Sequence, residues 1–304
     1  MFFFLQIAAI LTSLVGPVGR FEKLGLLEHP GVAAREVTVW LPANYDSAKR
    51  YAVLYVHDGQ MQFDPSTTWN GKAWKLDEAA NRLLAAGKVR DFIVVAVPND
   101  PDRRHAEFFP QSALRLLEPP ALRQRFVEQA LGGRPAADDY LRFLVKVVKP
   151  AVDTRFSTHR DRDSTFIMGS SMGGLISLYA ICEYPEIFGG AAALSTHWIG
   201  SYTRNEQIPA ALRAYLELKL PAPDQTRIYL DRGTETLDAL YDEAQPAVDR
   251  LMQQKGYGPA NFVSRVFEGA GHDEIAWAAR VDIPLEFLLG SPEVHAHRQP
   301  EVAD

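Results

Sequence analysis

Apolar positions along this chain recur in two rhythms that alternate with each other. Short apolar runs at 51–56, 92–97, 165–168 and 189–195 have the length and residue content of buried strands, and 226–231 and 261–267, which carry polar residues as well, also read as strands. Between them, 76–86, 139–148, 175–182, 209–218, 239–254, 274–280 and 285–289 carry apolar residues at helical spacing. The segment 35–41 differs, because it alternates polar and apolar residues as a half-buried edge strand does. Strands separated by helices through most of a chain predict a mainly parallel central sheet with helices on both faces. Neither a linker nor an internal repeat interrupts 20–290, which reads as a single α/β domain. The helix over 139–148 is expected to stop at Pro150.

Three stretches depart from the rhythm. Residues 100–137 carry Arg103, Arg104, His105, Glu107, Phe108, Phe109 and several prolines, and read as an insertion over a functional site. Residues 1–19 begin with a near-continuous apolar run, of signal-peptide length and too short to span a bilayer comfortably. It lacks a leading Lys or Arg and a clear small-residue cleavage site, so the expectation of export over a cytoplasmic location is slight. The tail 291–304 is polar and expected to be mobile.

Composition narrows the function without choosing one. The chain is 47% hydrophobic and 23% charged, with a net charge of −6, which gives no footprint for nucleic acid and no stable membrane span. The single cysteine, Cys182, excludes an intrachain disulfide and falls on the apolar face of a predicted helix, as a buried thiol does. No His/Cys cluster has metal-ligand spacing, and no metal or cofactor is expected.

The chemistry concentrates at predicted strand ends. Gly169-Ser170-Ser171-Met172-Gly173-Gly174 lies where the run 165–168 gives way to a helix, and its G-x-S-x-G core is a nucleophile elbow. A serine at such a corner projects its hydroxyl clear of the backbone, and the flanking glycines remove the Cβ atoms that would block the turn. Ser171 is therefore the candidate nucleophile. A serine hydroxyl needs a neighbouring base. Of the eight histidines, His272 fits best, in a glycine-rich turn after the last predicted strand. His57 and His197 also follow strands and read as pocket or core residues. The acid should follow the strand 226–231. Asp231 belongs to the strand end and Asp242 to a helix, which leaves Asp238, with Glu235 as the alternative. Oxyanion donors are expected at the backbone amides of Met172, after the nucleophile, and Gln60, in the loop Asp58-Gly59-Gln60. Trp69, Asn70, Trp74, Glu107, Phe108, Phe109 and Trp198 are candidates for a pocket suited to a sugar-linked or aromatic ester.

These features together resemble the "Putative esterase" family of α/β-hydrolases, which includes enterochelin and feruloyl esterases, S-formylglutathione hydrolases and the antigen 85 mycolyltransferases. The resemblance rests on Val39-Trp40-Leu41-Pro42, on the run from Tyr51 to Gln60, on Gly169 to Gly174 and on Gly271-His272. It implies the α/β-hydrolase fold, a serine esterase acting on a small-molecule ester through an acyl-enzyme, and roles for Ser171, His272, Gln60 and Met172. The acid does not map cleanly: where relatives carry a carboxylate this chain has Thr236 and Leu237, between Glu235 and Asp238. An acyltransferase on the same scaffold and a non-catalytic binding protein are the alternatives.

Overall fold

The computed structural model describes residues 19–290. The expectations for the N-terminal apolar segment and for the tail lie outside the described residues, apart from Gly19. Among the described residues, eight strands form one sheet: β1 (Arg20–His29), β2 (Val32–Leu41), β3 (Ala52–Val56), β4 (Phe92–Ala96), β5 (Thr165–Ser170), β6 (Gly190–Leu194), β7 (Arg227–Gly233) and β8 (Phe262–Phe267). Their order across the sheet is β1-β2-β4-β3-β5-β6-β7-β8. From β4 to β8 every neighbouring pair is parallel, and β1 and β2 add an antiparallel hairpin at one edge. Sequence reasoning missed β1. Its residues are exposed or half-buried, so no apolar run marks it.

Among the described residues, ten α-helices connect or flank the strands. The first five are α1 (Leu76–Ala85), α2 (Arg104–Phe108), α3 (Pro120–Ala130), α4 (Ala137–Phe143) and α5 (Lys149–Arg155). The rest are α6 (Met172–Glu183), α7 (Gln207–Lys219), α8 (Ala244–Gln254), α9 (Glu274–Ala278) and α10 (Asp282–Leu289). The central strands are buried throughout because helices cover both faces. Their period of two divides the core. Val53, Tyr55, Ile167, Ala193 and Leu230 join the cluster under α4 to α8, whereas Leu54, Val94, Met168, Leu194 and Tyr229 join the one under α1 and α10. The mainly parallel sheet with helices on both faces is the α/β-hydrolase fold.

The helix expected to end at Pro150 does not. It runs from Ala137 to Arg155, with a π-helical turn over Leu144–Val148 just ahead of the proline. Proline lacks the amide for an i→i−4 bond and its ring collides with that carbonyl; wider local winding answers both demands.

Because β3 to β8 are parallel, their carboxyl ends share one edge of the sheet. Ligands in such sheets bind beyond that edge. The segment 100–137, read from the sequence as an insertion over the site, reaches the edge only with its first residues; α2 packs against α4 and α6, and much of the remainder joins the core.

Candidate active site

The corner between β5 and α6 is held in a conformation that side-chain-bearing residues rarely adopt. Ser171 has φ 56° and ψ −121°. Its amide donates to the Leu194 carbonyl at 2.9 Å, and its own carbonyl accepts from Gly174 at 3.0 Å and His197 at 3.1 Å. A Cβ on Gly169 would stand 2.8 Å from the Gly173 carbonyl group, so glycine alone lets the strand pass against the first turn of α6. Met172 opens that helix, where amides have no intrahelical acceptor.

Opposite this corner, the loop after β3 is braced by charge. Asp58 also has a positive φ, 52°. Its carboxylate accepts from Arg104 at 2.8 and 2.7 Å and from Asn99 at 2.5 Å. Burial opposes ionisation of Asp58, but the Arg104 charge and these hydrogen bonds hold it below the usual carboxylate range. Gly59 lies so close to β4 that a Cβ would sit 2.5 Å from the Ala96 backbone. The amides of Gly59 and Met61 donate to Val97 and Asp58, whereas the Gln60 amide between them donates to no group among the described residues.

The third component comes from the loops after β7 and β8. His272 Nδ1 donates to Asp238 Oδ1 at 2.5 Å. Asp238 is fully buried, and its Oδ2 accepts from the Gly233 amide at 2.5 Å and from the Ser195 hydroxyl at 2.6 Å. Burial pushes the Asp238 carboxyl up, and the bonds from His272, Ser195 and Gly233 outweigh it, leaving the group below its ordinary value. The alternative acid, Glu235, is exposed and precedes a 3-10 turn without capping it through its side chain. Asp231 is committed elsewhere, to a buried ion pair with Arg280 at 2.9 Å.

Ser170, Ser171, Met172, Gln60 and His272 line one cavity of about 750 Å³ at the carboxyl edge of the sheet. The Ser171 hydroxyl and the His272 imidazole share this cavity without a hydrogen bond between them, a spacing that often tightens only on substrate binding. His57 and His197 are buried and each lies within hydrogen-bonding distance of a tyrosine hydroxyl, Tyr140 at 2.8 Å and Tyr241 at 2.7 Å. Burial lowers the pKa of each to about 3, so both stay neutral.

The expected pocket wall divides. Trp69 and Asn70 line the cavity, Trp69 at 84% exposure, and Asn70 donates to Glu274 at 3.0 Å. Trp74 lines it as well, packed on Trp277. Glu107, Phe109 and Trp198, expected at the pocket from the sequence, do not. Glu107 forms a buried ion pair with Arg35 at 2.8 Å; Phe109 packs against Phe126 at a tilt; Trp198 is buried and donates to Gln245 at 3.4 Å. Phe108 is likewise core, beside His57 and Tyr140. Aromatic and acidic residues near a site in sequence are drawn equally well into the core, and composition does not distinguish the two. Sequence reasoning passed over Lys72, Tyr202 and Trp277, which do line the cavity, and left Arg104 and His105 without a role. It also overlooked Ser195, although that residue ends a predicted strand as His197 nearly does. Cys182 is buried, and burial pushes its thiol well up.

Fold and site together define an α/β-hydrolase of the esterase type. The chain belongs to the family described as "Putative esterase", whose model matches residues 33–282. Among curated proteins it is 22% identical over 275 residues to the uncharacterized protein YbbA of Bacillus subtilis, covering 88% of this chain and 97% of that one. It is 27% identical over 165 residues to an endo-1,4-beta-xylanase/feruloyl esterase of Xylanibacter ruminicola, covering 52% of this chain and 19% of that protein. Among solved structures, the enterobactin esterase FES of Shigella flexneri superposes with a TM-score of 0.66 at 17% identity, over 90% of this chain and 59% of that one. A ferulic acid esterase of Anaeromyces mucronatus superposes with a TM-score of 0.58 at 17% identity, over 88% and 90% of the two chains. The chain thus spans about three fifths of the enterobactin esterase, and at these identities the likeness to solved structures is one of fold.

Proposed function

We propose that this protein is a serine carboxylic-ester hydrolase working through an acyl-enzyme. The observation that carries the reading is the hydrogen bond of His272 to the buried Asp238 on the same cavity that receives Ser171 from its strained corner. In this reading, Ser171 Oγ attacks the ester carbonyl while His272 Nε2 takes its proton. Asp238 fixes the tautomer with Nδ1 protonated and stabilises the imidazolium as it forms. The tetrahedral oxyanion accepts from the backbone amides of Gln60 and Met172, donors of a kind whose individual loss costs on the order of 3 kcal/mol in the barrier. Collapse expels the alcohol, protonated by His272, and water then attacks the acyl-enzyme by the same route in reverse. Each step uses groups of this chain and the substrate.

Replacing Ser171 tests the reading. Ser171→Ala is expected to lower kcat on p-nitrophenyl acetate by on the order of 10⁶-fold and to abolish labelling by a fluorophosphonate probe. Full activity in that variant would overturn the assignment.

A further inference from the structure

The Ser195 hydroxyl occupies an unusual position: it touches the buried carboxylate of Asp238 and is itself gripped by two cationic or donor groups. Trp277 Nε1 donates to Ser195 Oγ at 2.9 Å, and Arg280 Nη2 donates to it at 2.9 Å. Neither indole nor guanidinium can accept a hydrogen bond, so both lone pairs of the hydroxyl are taken. Its single proton has one remaining direction, towards Asp238 Oδ2 at 2.6 Å. The direction of the chain is therefore fixed by chemistry: Arg280 to Ser195, Ser195 to Asp238, with Asp238 Oδ1 left to receive His272.

The rest of the surroundings hold Ser195 in that posture. It has φ 44° and is fully buried, directly after β6. Its amide donates to the Asp231 carbonyl at 2.9 Å and lies 3.1 Å from Asp231 Oδ1. Asp231 in turn fixes the guanidinium, accepting from Arg280 at 2.9 and 3.1 Å, and accepts from Tyr229 at 3.0 Å. The segment that carries the base also carries both donors, because Trp277 and Arg280 follow His272 by five and eight residues. The Trp277 ring meets the His272 ring edge-on at 5.1 Å.

We infer that Ser195 is a positioning residue for the proposed reaction: its hydroxyl, oriented by Trp277 and Arg280, locks Oδ2 of Asp238 and so presents Oδ1 to His272. The inference rests on the esterase reading above and adds a residue to it. An Asp238 without this lock keeps only the Gly233 amide on Oδ2 and can rotate, which loosens the imidazole whose alignment the reaction needs.

Two variants separate this role from a purely structural one. Ser195→Ala and Ser195→Gly both remove the hydroxyl, but glycine relaxes the left-handed backbone while alanine keeps the strain. Their melting temperatures are therefore expected to differ. Their kinetics are expected to agree: kcat on p-nitrophenyl acetate falls by on the order of 10- to 100-fold in both, with KM unchanged. Phosphonylation of Ser171 by a fluorophosphonate should slow in parallel. A parental kcat in folded Ser195→Gly protein overturns the inference, as does a loss of kcat that follows Tm rather than the hydroxyl. The two levels fail separately. Activity surviving in Ser171→Ala would sink the esterase reading itself, whereas a strict need for Ser171 beside a fully active Ser195→Gly would sink only the role of Ser195.

Discussion

The ends of β5 and β6 lie side by side, and each places a serine in left-handed backbone: Ser171 at φ 56° and Ser195 at φ 44°. Their hydroxyls meet opposite environments. Ser171 lines the cavity, and its hydroxyl takes no hydrogen bond from the described residues, while its backbone is tied to Leu194, Gly174 and His197. Ser195 is sealed from solvent with three hydrogen bonds on its hydroxyl. One serine is left available by a corner made of backbone; the other is consumed by a network made of side chains. Backbone strain by itself therefore does not tell the two serines apart. The partners of the hydroxyl do.

The same contrast separates the two buried aspartates at the end of β7. Both are fully buried. Asp238, with donors from His272, Ser195 and Gly233, is held below the ordinary carboxylate range. Burial pushes Asp231 above that range in spite of Arg280. On this reading Asp238 belongs to the chemistry and Asp231 to its scaffold.

If the contrast is real, breaking each side should give a different kind of failure. The largest effect is expected from Asp238→Asn, which should lower kcat by on the order of 10⁴-fold in a folded protein, with Glu235→Gln as the control that stays at the parent rate. A loss confined to Glu235→Gln would reverse the assignment of the acid. Next comes the scaffold: Arg280→Ala leaves Asp231 without its ion-pair partner and should cost about 3–5 kcal/mol of stability, measured by urea unfolding. An unchanged unfolding midpoint would show that Arg280 does not hold this region. The smallest effect should come from the backbone side. Gly169→Ala must move the strand away from Gly173 and is expected to cost about 1–3 kcal/mol in the same assay, the range for overpacking a tight contact. A neutral result there would mean that the corner has room the geometry does not show.

Much of this architecture could be read from the chain. Continuous apolar runs marked the buried parallel strands, since a strand covered on both faces has no polar side to alternate. Exposed β1 left no such trace, and the π-helical turn before Pro150 was invisible to a rule that treats proline as a stop. The pocket shows the same limit. Trp69, Asn70 and Trp74 reached the cavity, while Glu107, Phe109 and Trp198 went into the core, and nothing local to those six residues separates the two groups.

The sequence by itself determined the parallel part of the sheet, its carboxyl edge and the corner at Ser171, because these depend on local periodicity and on glycine at Gly169, both written in neighbouring residues. Only the tertiary structure decided which carboxylate meets His272, since Glu235 stands exposed at the start of a 3-10 turn while Asp238, three positions on, is buried within it. Only the fold could bring Ser195, Trp277 and Arg280 together across more than eighty residues. Local chemistry specifies what a residue can do; long-range packing selects which residue is in reach to do it.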